Sequence, residues 1–530
     1  MAEPLPDKAE ARPVRWAKVI DHDSCIGCHA CSTACKSENE VPLSVNRTYV
    51  KYVDVGIFPQ TRRAFQVTRC NQCADAPCTH ACPTRAMYAR DDGIVDFDKS
   101  ICIGCKACIA ACPYDAIFIN PEDHSAEKCN FCAHRIDVGL EPACVVVCPT
   151  EAILIGDLED PDSRVAQMAH REPVSVRRPE KETRPKLFYR GAHQATLDPI
   201  AALRPPGDLF MWSEQTTGPG RVVSGHPAAA MDGVDGGDGD GVGAGNSSAA
   251  AVLAYDVPHK APWDWRVSLY TLTKGIAAGV YLVALLLLSL GRIDAVDPLW
   301  RWAVPLVGGG FLALTGLLLI WDLEHPGRFY LIFTRPHWRS WLVKGAFVIG
   351  GYSLVLALHF AGSVGGIAGV GQALAFAGLP LAVLTAVYTA YLFAQAKARD
   401  LWQSPLLPPH LLAQSLLAGA AALIPVAAVA EPQALAPLAW ILAGSSLAHL
   451  LFILGETTLP HVTAHARLAG WEMVAGRYKT WFRCSLALTA VALATPWLGA
   501  ATAAAALVAL AGLFCFEHAY VQAGQAVPLA

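Results

Sequence analysis

The sequence predicts two structural parts, a cysteine-rich α+β domain followed by an all-α bundle of eight transmembrane helices. Three observations predict this architecture. Sixteen of the 18 cysteines lie before residue 150. Hydrophobic residues make up 53% of the 530 residues, which is high for a soluble protein. The long apolar runs begin only after residue 265, so the average composition hides a division between two kinds of chain.

The sixteen N-terminal cysteines fall into four groups of four. The groups are Cys25, Cys28, Cys31, Cys35; Cys70, Cys73, Cys78, Cys82; Cys102, Cys105, Cys108, Cys112; and Cys129, Cys132, Cys144, Cys148. The first and third groups have the spacing C-x2-C-x2-C-x3-C, and three of the four groups end in Cys-Pro. This spacing is typical of bacterial ferredoxin motifs, in which three thiolates of a group bind one [4Fe–4S] cluster and the fourth binds another. The pattern predicts a ferredoxin-like domain with four clusters.

Two other uses of many cysteines fit this pattern less well. A disulfide framework does not repeat C-x2-C-x2-C-x3-C-P, and the N-terminus has neither the apolar core of a secretory signal nor a twin-arginine pair. Zinc sites use C-x2-C pairs, but these pairs lack the trailing Cys-Pro. The net charge of −4 gives no indication of nucleic acid binding.

Composition also predicts the domain boundaries. We expect an N-terminal tail (1–16), the four-cluster domain (17–155), an extended arm (156–231), a flexible Gly/Asp-rich linker (232–264), the transmembrane domain (265–520) and a C-terminal tail (521–530). The aspartates of the linker lack EF-hand spacing and a closing glutamate, which favours a linker over a calcium loop. Short strands are expected at 16–20 and 93–97, and a brief helix within 107–113. The run C-I-G-C-x-A-C, at Cys25 and again at Cys102, indicates an internal duplication.

Eight apolar segments of membrane-spanning length follow residue 265. The predicted spans are 267–290, 302–321, 341–361, 371–394, 410–430, 435–455, 482–498 and 501–517. The alternative, a soluble all-helical core, is disfavoured because segments such as 280–290 carry no charge.

The charges of the connecting loops predict the orientation in the membrane. The loops and helix ends on the side of the cluster domain carry Arg328, Arg335, Arg339, Lys344, Lys397, Arg399, Arg467, Arg477, Lys479 and Arg483. The opposite side has only Arg292 and Arg301. The positive-inside rule then predicts a multi-pass protein of the bacterial inner membrane with its cluster domain in the cytoplasm. The alternative is that these cations only dock the cluster domain, which would then be free to lie on the periplasmic face.

Residues 17–155 resemble the four-cluster iron–sulfur subunits of molybdopterin oxidoreductases such as dimethyl sulfoxide and polysulfide reductases. The stretches HDSCIGCHACSTACKSENEVP and KCNFCAHRIDVGLEPACVVVCP carry this resemblance. Residues 265–517 resemble the NrfD/polysulfide reductase membrane-anchor family through WDLEHPGRF (321–329) and YLFAQAKARDLWQSPLLP (391–408). The two families usually occur as separate chains, and here they are fused.

The resemblance implies which cysteines share a cluster, because groups one and four exchange their last thiolates, as do groups two and three. The implied sets are Cys25, Cys28, Cys31 with Cys148; Cys129, Cys132, Cys144 with Cys35; Cys70, Cys73, Cys78 with Cys112; and Cys102, Cys105, Cys108 with Cys82.

The membrane half is expected to react with an exchangeable quinone. His359 and His449 stand singly on different segments, so we expect hydrogen-bonded histidines and no haem. Quinone chemistry transfers protons as well as electrons and therefore needs ionisable or hydroxyl groups at the cluster-side helix ends. The candidates are Tyr270, Lys274, Asp322, Glu324, His325, Lys397, Arg399 and Glu456.

These features together predict an electron-transfer and quinone-reacting subunit of a heteromeric membrane oxidoreductase. A separate molybdopterin-containing catalytic subunit would convert the substrate, because the sequence shows no molybdenum site and no catalytic residues of its own. Two alternatives remain: a quinone-reducing partner of a hydrogenase, and a redox-coupled proton-translocating module.

Overall fold

The computed structural model describes residues 14–56, 59–203, 251–367 and 369–530. Most of the predicted N-terminal tail (1–13), the second part of the predicted arm (204–231) and the first part of the predicted linker (232–250), with the calcium-loop alternative, lie outside the described residues.

The N-terminal half consists of short strands and short helices. Its strands are β1 (Trp16–Asp21), β2 (Thr48–Val55), β3 (Arg62–Arg69), β4 (Met87–Ala89), β5 (Val95–Phe97), β6 (Ile117–Ile119), β7 (Ala126–Lys128), β8 (Ile153–Asp157), β9 (Val174–Ser175), β10 (Leu187–Arg190) and β11 (Ala251–Tyr255). Its helices are α1 (Ala30–Glu38), α2 (Pro77–Ala81), α3 (Ala107–Ala111), α4 (Ala133–Ile136), α5 (Ala143–Val146), α6 (Arg164–Arg171) and α7 (Gln194–Leu197). The strands and the helix expected at 16–20, 93–97 and 107–113 are present.

The strands form two small sheets and two hairpins. The first sheet has the order β8-β1-β10-β9, with β1 parallel to β10 and antiparallel to β8. The second has the order β11-β2-β3 and is antiparallel. The hairpins β4-β5 and β6-β7 lie between successive cysteine groups. The sheets and hairpins therefore fix the ends of the cysteine loops.

The segment predicted as an extended arm differs from the prediction. Its described part contains α6, β9, β10 and α7, and β10 pairs with the first strand of the chain, Lys18 opposite Leu187. Leu187 and Tyr189 alternate with less buried neighbours and are fully buried, so this strand belongs to the core of the cluster domain. The predicted linker likewise ends in β11, which pairs with β2. A boundary at residue 155 therefore does not separate two structural units.

The C-terminal half is a bundle of long helices. They are α8 (Trp265–Ser289), a π-helical turn (Leu299–Gly308) continued by α9 (Gly309–Trp321), the short α10 (Leu331–Thr334), α11 (Trp341–Val364), α12 (Val370–Gln395), α13 (Leu407–Ala430), α14 (Leu435–Thr458), α15 (Ala464–Val474), α16 (Lys479–Val491) and α17 (Thr502–Ala526).

Seven helical segments in the described part of the chain are long and apolar enough to cross a membrane. They correspond to seven of the eight predicted spans. The predicted span 482–498 is instead the 13-residue α16 followed by a 3-10 segment, Ala492–Trp497, with Pro496 inside it. Proline removes a backbone donor and clashes with the preceding turn, which explains why a regular α-helix ends there.

Helix α8 lies at the centre of the bundle, where it packs against α9, α12, α13 and α17. The predicted C-terminal tail is also part of the fold. Helix α17 continues to Ala526, and Val527, Leu529 and Ala530 are buried against the cluster domain side. The carbonyl of Leu529 accepts a hydrogen bond from Arg177, which ties the chain end to the cluster domain (2.8 Å).

Candidate metal centres and membrane cavity

The two C-I-G-C-x-A-C loops have the same backbone conformation. Gly27 and Gly104 have φ angles of 68° and 67°, and His29 and Lys106 have φ angles of 60° and 61°. These left-handed residues turn the chain around the loop, and α1 and α3 begin directly after them. The cysteines before and within each helix can then face a common point, as the repeated sequence predicts.

The structure brings the sixteen cysteines, none of which forms a disulfide bond, into four neighbourhoods. Judged by which thiolate charges interact, the neighbourhoods are Cys25 with Cys28, Cys31 and Cys148; Cys35 with Cys129, Cys132 and Cys144; Cys78 with Cys70, Cys73 and Cys112; and Cys108 with Cys82, Cys102 and Cys105. Cys31 also interacts with Cys144, and Cys108 with Cys78, so the neighbourhoods form two adjacent pairs. This grouping is compatible with the ligand sets that the resemblance implies, which remain a prediction.

The arrangement fits a cluster better than a single ion. One small cavity is lined by Cys82, Cys102, Cys105 and Cys108, and another by Cys25, Cys28, Cys31 and Cys148. Among the described residues, no three metal-binding side chains converge on a point that one ion could occupy. Four thiolates spaced around a cavity are the donor set that a cubane cluster requires.

The pKa values of the cysteine thiols differ, because their surroundings stabilise the thiolate form to different extents. Burial raises the pKa of Cys35 and of Cys73 to about 12. Burial would also raise the pKa of Cys144, but Lys18 and Arg69 outweigh it and lower this pKa to about 7. At Cys144 the two cations therefore stabilise the thiolate more than burial destabilises it.

The loop between α9 and α11 holds the cluster domain against the bundle. The backbone N–H groups of Glu324 and His325 donate to the carbonyls of Gly104 and Ile103. Arg328 donates to the carbonyls of Lys99 and Cys102, 2.9 Å each. These bonds reach the loop that carries Cys102 and Cys105, so this neighbourhood lies nearest to the membrane half.

Further contacts from the bundle reach the same neighbourhood. His337 and Ser340 contact the carbonyls of Cys82 and Ala81, at 2.9 and 2.8 Å. The Trp263 indole donates to the carbonyl of Cys105 (3.3 Å). Gly104 permits the close approach, because a Cβ atom there would lie 2.4 Å from the Cβ of Glu324.

A cavity of about 230 Å³ opens between the Cys105 loop and the cluster-side ends of α8, α9, α11 and α12. Polar groups line one part of it: Tyr270, Asp322, Tyr388 and the Trp263 ring. Apolar side chains line the rest, among them Leu319, Phe329, Phe333, Leu342 and Ile349. The cavity can therefore hold a flat, mainly apolar molecule with a polar end close to Cys105.

Asp322 connects this cavity to the cluster domain. Its carboxylate lies 3.2 Å from the Lys106 ammonium and 3.6 Å from Arg266. Burial raises the pKa of Asp322 to about 6, although both cations act to lower it. Lys106 is the neighbour of Cys105 and is not among the residues predicted from the sequence. Its position inside the C-I-G-C-x-A-C repeat, between the predicted ligands Cys105 and Cys108, was the available signal.

Of the eight predicted quinone-site residues, the structure places Tyr270 and Asp322 on the cavity wall. Lys274 lies one turn beyond Tyr270, buried, and donates to Thr389 and to the carbonyl of Ala386 (2.8 and 2.9 Å). Glu324 binds Lys106 at the domain junction.

The other four candidates lie away from the cavity wall. His325 contacts His124 at the junction. Arg399 donates to the carbonyls of Gln525 and Val527 and so fixes the chain end. Lys397 precedes this contact in the loop after α12, and Glu456 is buried at the end of α14. None of the four is among the residues that line the described cavity.

His449 is not a single histidine, contrary to the sequence-based expectation. Its Nδ1 lies 2.8 Å from Nε2 of His410 on α13, and both rings are fully buried. Nδ1 of His410 lies 3.5 Å from the Glu456 carboxylate, which extends the same row of polar groups. The spacing of seven residues between His449 and Glu456 was a signal that both face one side of α14. His410 was missed because the partners lie on different helices.

Two further ionisable residues are buried in the centre of the bundle. Glu517 on α17 and Lys274 on α8 are close enough for their charges to influence each other, and Glu456 lies within the same range of Glu517. All three side chains are at least 95% buried. Charged groups inside a membrane bundle are costly and are retained where they have a function.

Comparison with known proteins agrees with the division into two halves. Residues 61–158 match the 4Fe-4S dicluster domain, and residues 256–529 match the family described as polysulphide reductase, NrfD. A tetrathionate reductase subunit of Salmonella typhimurium is 41% identical over 218 residues, which cover 39% of this chain and 84% of that protein.

Two further relatives match a similar share of this chain. A polysulfide reductase chain of Wolinella succinogenes is 42% identical over 177 residues, 33% of this chain and 93% of the relative. The arsenate respiratory reductase iron-sulfur subunit ArrB of Shewanella sp. is 35% identical over 224 residues, 33% of this chain and 96% of the relative. The chain therefore belongs to the NrfD family of multi-pass membrane proteins and carries, fused in front of this module, an iron–sulfur domain of the reductase-subunit type.

Proposed function

We propose that this protein carries electrons between a molybdopterin-containing catalytic subunit and a quinone in the membrane. The observation that supports this proposal is the shared wall of the membrane cavity, where Cys105 lies beside Tyr270 and Asp322. A cluster ligand and groups able to exchange protons thus border the same space. Quinone reduction needs two electrons and two protons, and this junction offers a source of each.

The proposed ligand sets put four [4Fe–4S] clusters between the two ends. When bound, these clusters supply one-electron transfer steps. The set of Cys82, Cys102, Cys105 and Cys108 is the membrane end, because the bundle hydrogen-bonds to the backbone of its loops. The set of Cys25, Cys28, Cys31 and Cys148 is the opposite end, where Cys28, Ile26 and Val146 are exposed. An exposed apolar surface around a cluster suits the docking of a catalytic subunit.

The residues around the cavity have separate tasks in this proposal. The apolar side chains of α11 and of the loop after α9 hold the quinone ring and the start of its tail and exclude water. Tyr270 and Asp322 hold protons at the polar end, and Lys106 holds the Asp322 carboxylate in place. The Lys274 ammonium donates a hydrogen bond to Thr389 and so helps to hold the polar end of the cavity in place.

Substitution of Tyr270 tests the quinone site. In purified complex, Tyr270→Phe should slow the oxidation of the reduced clusters by a water-soluble quinone about tenfold or more, since a positioned proton donor contributes at least that much. The bleaching of cluster absorbance gives the rate. Tyr281→Phe is the matched control, because Tyr281 is a buried tyrosine on the same helix that does not line this cavity. Equal rates in Tyr270→Phe and the wild type would contradict the site.

The relatives favour a reductase-type partner over a hydrogenase. The chain matches proteins named as subunits of tetrathionate, polysulfide and arsenate reductases. Purification of the tagged chain from its native membrane, followed by metal analysis of the chain that accompanies it, separates the two. Molybdenum or tungsten in the partner is expected, and nickel would indicate the hydrogenase alternative.

We further propose eight crossings of the bacterial inner membrane, with the cluster domain in the cytoplasm. Helix α16 with its 3-10 continuation supports the eighth, because Thr495 donates to the carbonyl of Ala439 near the start of α14 (3.1 Å), at the end of the bundle remote from the clusters. The cations of the cluster-side loops support the orientation.

Redox-coupled proton translocation is a second candidate function. The row of Lys274, Glu517, Glu456, His410 and His449 favours it, since these ionisable groups lie inside the bundle near the cavity. In vesicles with a trapped pH indicator, electron transfer to quinone should move protons across the membrane. Glu517→Gln should abolish this movement, whereas Glu472→Gln, a buried carboxylate of α15 that accepts from the Arg477 N–H, should not. If the wild-type protein moves no more protons than the quinone reaction itself consumes or releases, this function is excluded.

A further inference from the structure

Two buried cations are directed at the sulfur of one cysteine. The Lys18 ammonium on β1 lies 3.4 Å from Sγ of Cys144, and Nη1 of Arg69 at the end of β3 lies 3.0 Å from the same atom. Lys18 is 0% and Arg69 1% exposed. Both come from the sheets that frame the cysteine loops, so the fold fixes the position of both charges.

No carboxylate among the described residues neutralises these cations. In the described part of the chain, the polar contacts of both side chains go to Cys144, and the Lys18 ammonium also lies over the ring of Phe131 at 4.7 Å. Nε and Nη2 of Arg69 have no hydrogen-bond partner in the described chain. A buried cation without a partner is costly, and the negative charge of a metal–thiolate centre would remove that cost.

The sulfurs of the other cysteines receive weaker donors. Backbone N–H groups donate to Cys70, Cys82, Cys102 and Cys148 at 3.2 to 3.5 Å. The neutral amide of Asn39 lies 3.7 Å from Cys35 and from Cys132. In the described residues, charged side chains donate to a cysteine sulfur only at Cys144. Lys128, another buried lysine, donates to the carbonyls of Val95 and Cys129.

We infer that Lys18 and Arg69 are tuning residues that raise the reduction potential of the cluster bound by Cys144. A [4Fe–4S] cluster gains one negative charge when it accepts an electron from its neighbour. Fixed positive charge and N–H···S hydrogen bonds stabilise the reduced form more than the oxidised form. The low dielectric of a buried site makes this difference larger than it would be in water. This inference rests on the proposed role of Cys144 as a ligand, but not on the quinone site.

The raised potential gives this cluster a specific place in the relay. Cys144 interacts with Cys31 of the adjacent neighbourhood, and Arg69 acts on both thiolates. A cluster held by Cys144 would lie next to the one at the exposed end, where the catalytic subunit is proposed to dock. Lys18 and Arg69 would there favour the reduced form of that cluster over the reduced form of its neighbours.

Redox titration monitored by electron paramagnetic resonance tests the inference in the purified full-length protein. The signal that changes in Cys144→Ser identifies the cluster. Its midpoint potential should fall in Lys18→Met and in Arg69→Gln, and fall further in the double variant. Arg69→Lys, which keeps the charge, should recover part of the shift. Arg177→Gln removes another buried arginine, one that donates to the Leu529 carbonyl and not to a sulfur, and should leave the potential unchanged.

The outcomes separate tuning from a structural role and from the proposed quinone chemistry. Iron content and absorbance show whether each variant assembles its clusters. An unchanged midpoint potential in Lys18→Met and Arg69→Gln with full iron content would overturn the inference. If Arg69→Gln loses the cluster, Arg69→Lys replaces it in the titration: a midpoint potential only slightly below the wild-type value, together with a clear fall in Lys18→Met, would support the inference, and an unchanged potential in Lys18→Met would overturn it. The titration uses soluble mediators, so failure of the quinone site would not alter it.

Discussion

At the scale of single residues, Cys105 has contacts in both halves of the molecule. Its thiol belongs to the neighbourhood of Cys82, Cys102 and Cys108, and it also lines the membrane cavity. Its carbonyl accepts the indole hydrogen bond of Trp263. Because Cys105 contacts both parts, a change in the proposed cluster at this residue would also alter the wall of the cavity.

We expect Cys105→Ser to convert or remove one cluster and to block electron flow between quinone and catalytic subunit. Serine offers an alkoxide instead of a soft thiolate, which binds iron–sulfur clusters less well. Low-temperature electron paramagnetic resonance should show that one of the [4Fe–4S] signals is changed, and quinone-linked activity should be lost.

The matched control for this variant is Cys484→Ser. Cys484 is an exposed thiol on α16 in the membrane half, remote from the cysteine groups in sequence. It should keep all cluster signals and full activity. Four intact cluster signals in Cys105→Ser would show that Cys105 is not a ligand.

At the scale of elements, the contact between α8 and α13 determines how tightly the centre of the bundle packs. Gly279 and Gly419 face each other, and a Cβ atom on Gly419 would lie 2.0 Å from the carbonyl carbon of Gly279. That atom is backbone, so no side-chain rotation could relieve the clash. Small residues at such crossings let helix backbones approach in membranes.

We expect Gly419→Ala to destabilise the bundle, since overpacking a tight core costs about 1–3 kcal/mol and here the clash is with backbone. The thermal unfolding midpoint in detergent should fall, and quinone reactivity should fall with it because α8 carries Tyr270. Gly444→Ala on α14 is the control, since a Cβ atom there meets nothing within 4 Å. Equal midpoints for both variants would mean that the two helices are not in close contact.

Much of the element structure could be predicted from the sequence. The apolar runs predict the membrane helices to within a few residues at most ends, because membrane-spanning length and composition are local properties. The segment after residue 155 could not be assigned in this way. Its strand β10 is only four residues long, and its pairing with β1 joins residues about 170 positions apart. Such pairing depends on the tertiary fold and leaves little trace in local composition.

At the scale of the whole molecule, the cluster domain and the bundle form one assembly in which the chain end takes part. Arg177 and Arg399 hold the carbonyls of Leu529 and Val527. Lys181 and Asp400 form an ion pair between the segment after β9 and the loop after α12. These contacts make the cluster-side face of the bundle a fixed platform for the cysteine loops.

We expect a reporter fused after Ala530 to lie in the cytoplasm. Helix α17 ends on the cluster side, so the C-terminus shares its compartment with the cluster domain. An alkaline phosphatase fusion there should be inactive, because this enzyme needs the oxidising periplasm. A green fluorescent fusion at the same site should be bright.

A second fusion serves as the internal control for this topology. Alkaline phosphatase placed after Leu290, at the end of α8 remote from the clusters, should be active. The reverse pattern, with an active enzyme after Ala530 and an inactive one after Leu290, would place the cluster domain in the periplasm.

Cysteine spacing and the length of the apolar runs were enough to predict iron–sulfur chemistry for the N-terminal half and membrane helices for the C-terminal half. Both properties depend on local sequence patterns. Cysteine spacing determines what a loop can bind, and an apolar run of sufficient length determines which segment can form a membrane helix. Of the quinone-site residues predicted near the membrane surface, however, only some lie together in the structure. Tyr270 and Asp322 meet at the cavity, whereas Arg399 holds the chain end and Glu456 lies beside His410.

The contacts between distant side chains depend on the folded chain and could not be predicted from local patterns. His410 meets His449, Lys106 meets Asp322, and Lys18 and Arg69 meet Cys144 across separations of 39, 216, 126 and 75 residues. Each contact joins side chains from different elements, and its energy depends on burial that the folded chain creates. Sequence spacing fixes partners within one turn or one loop, but the electrostatics of a buried site belong to the packing of the whole chain.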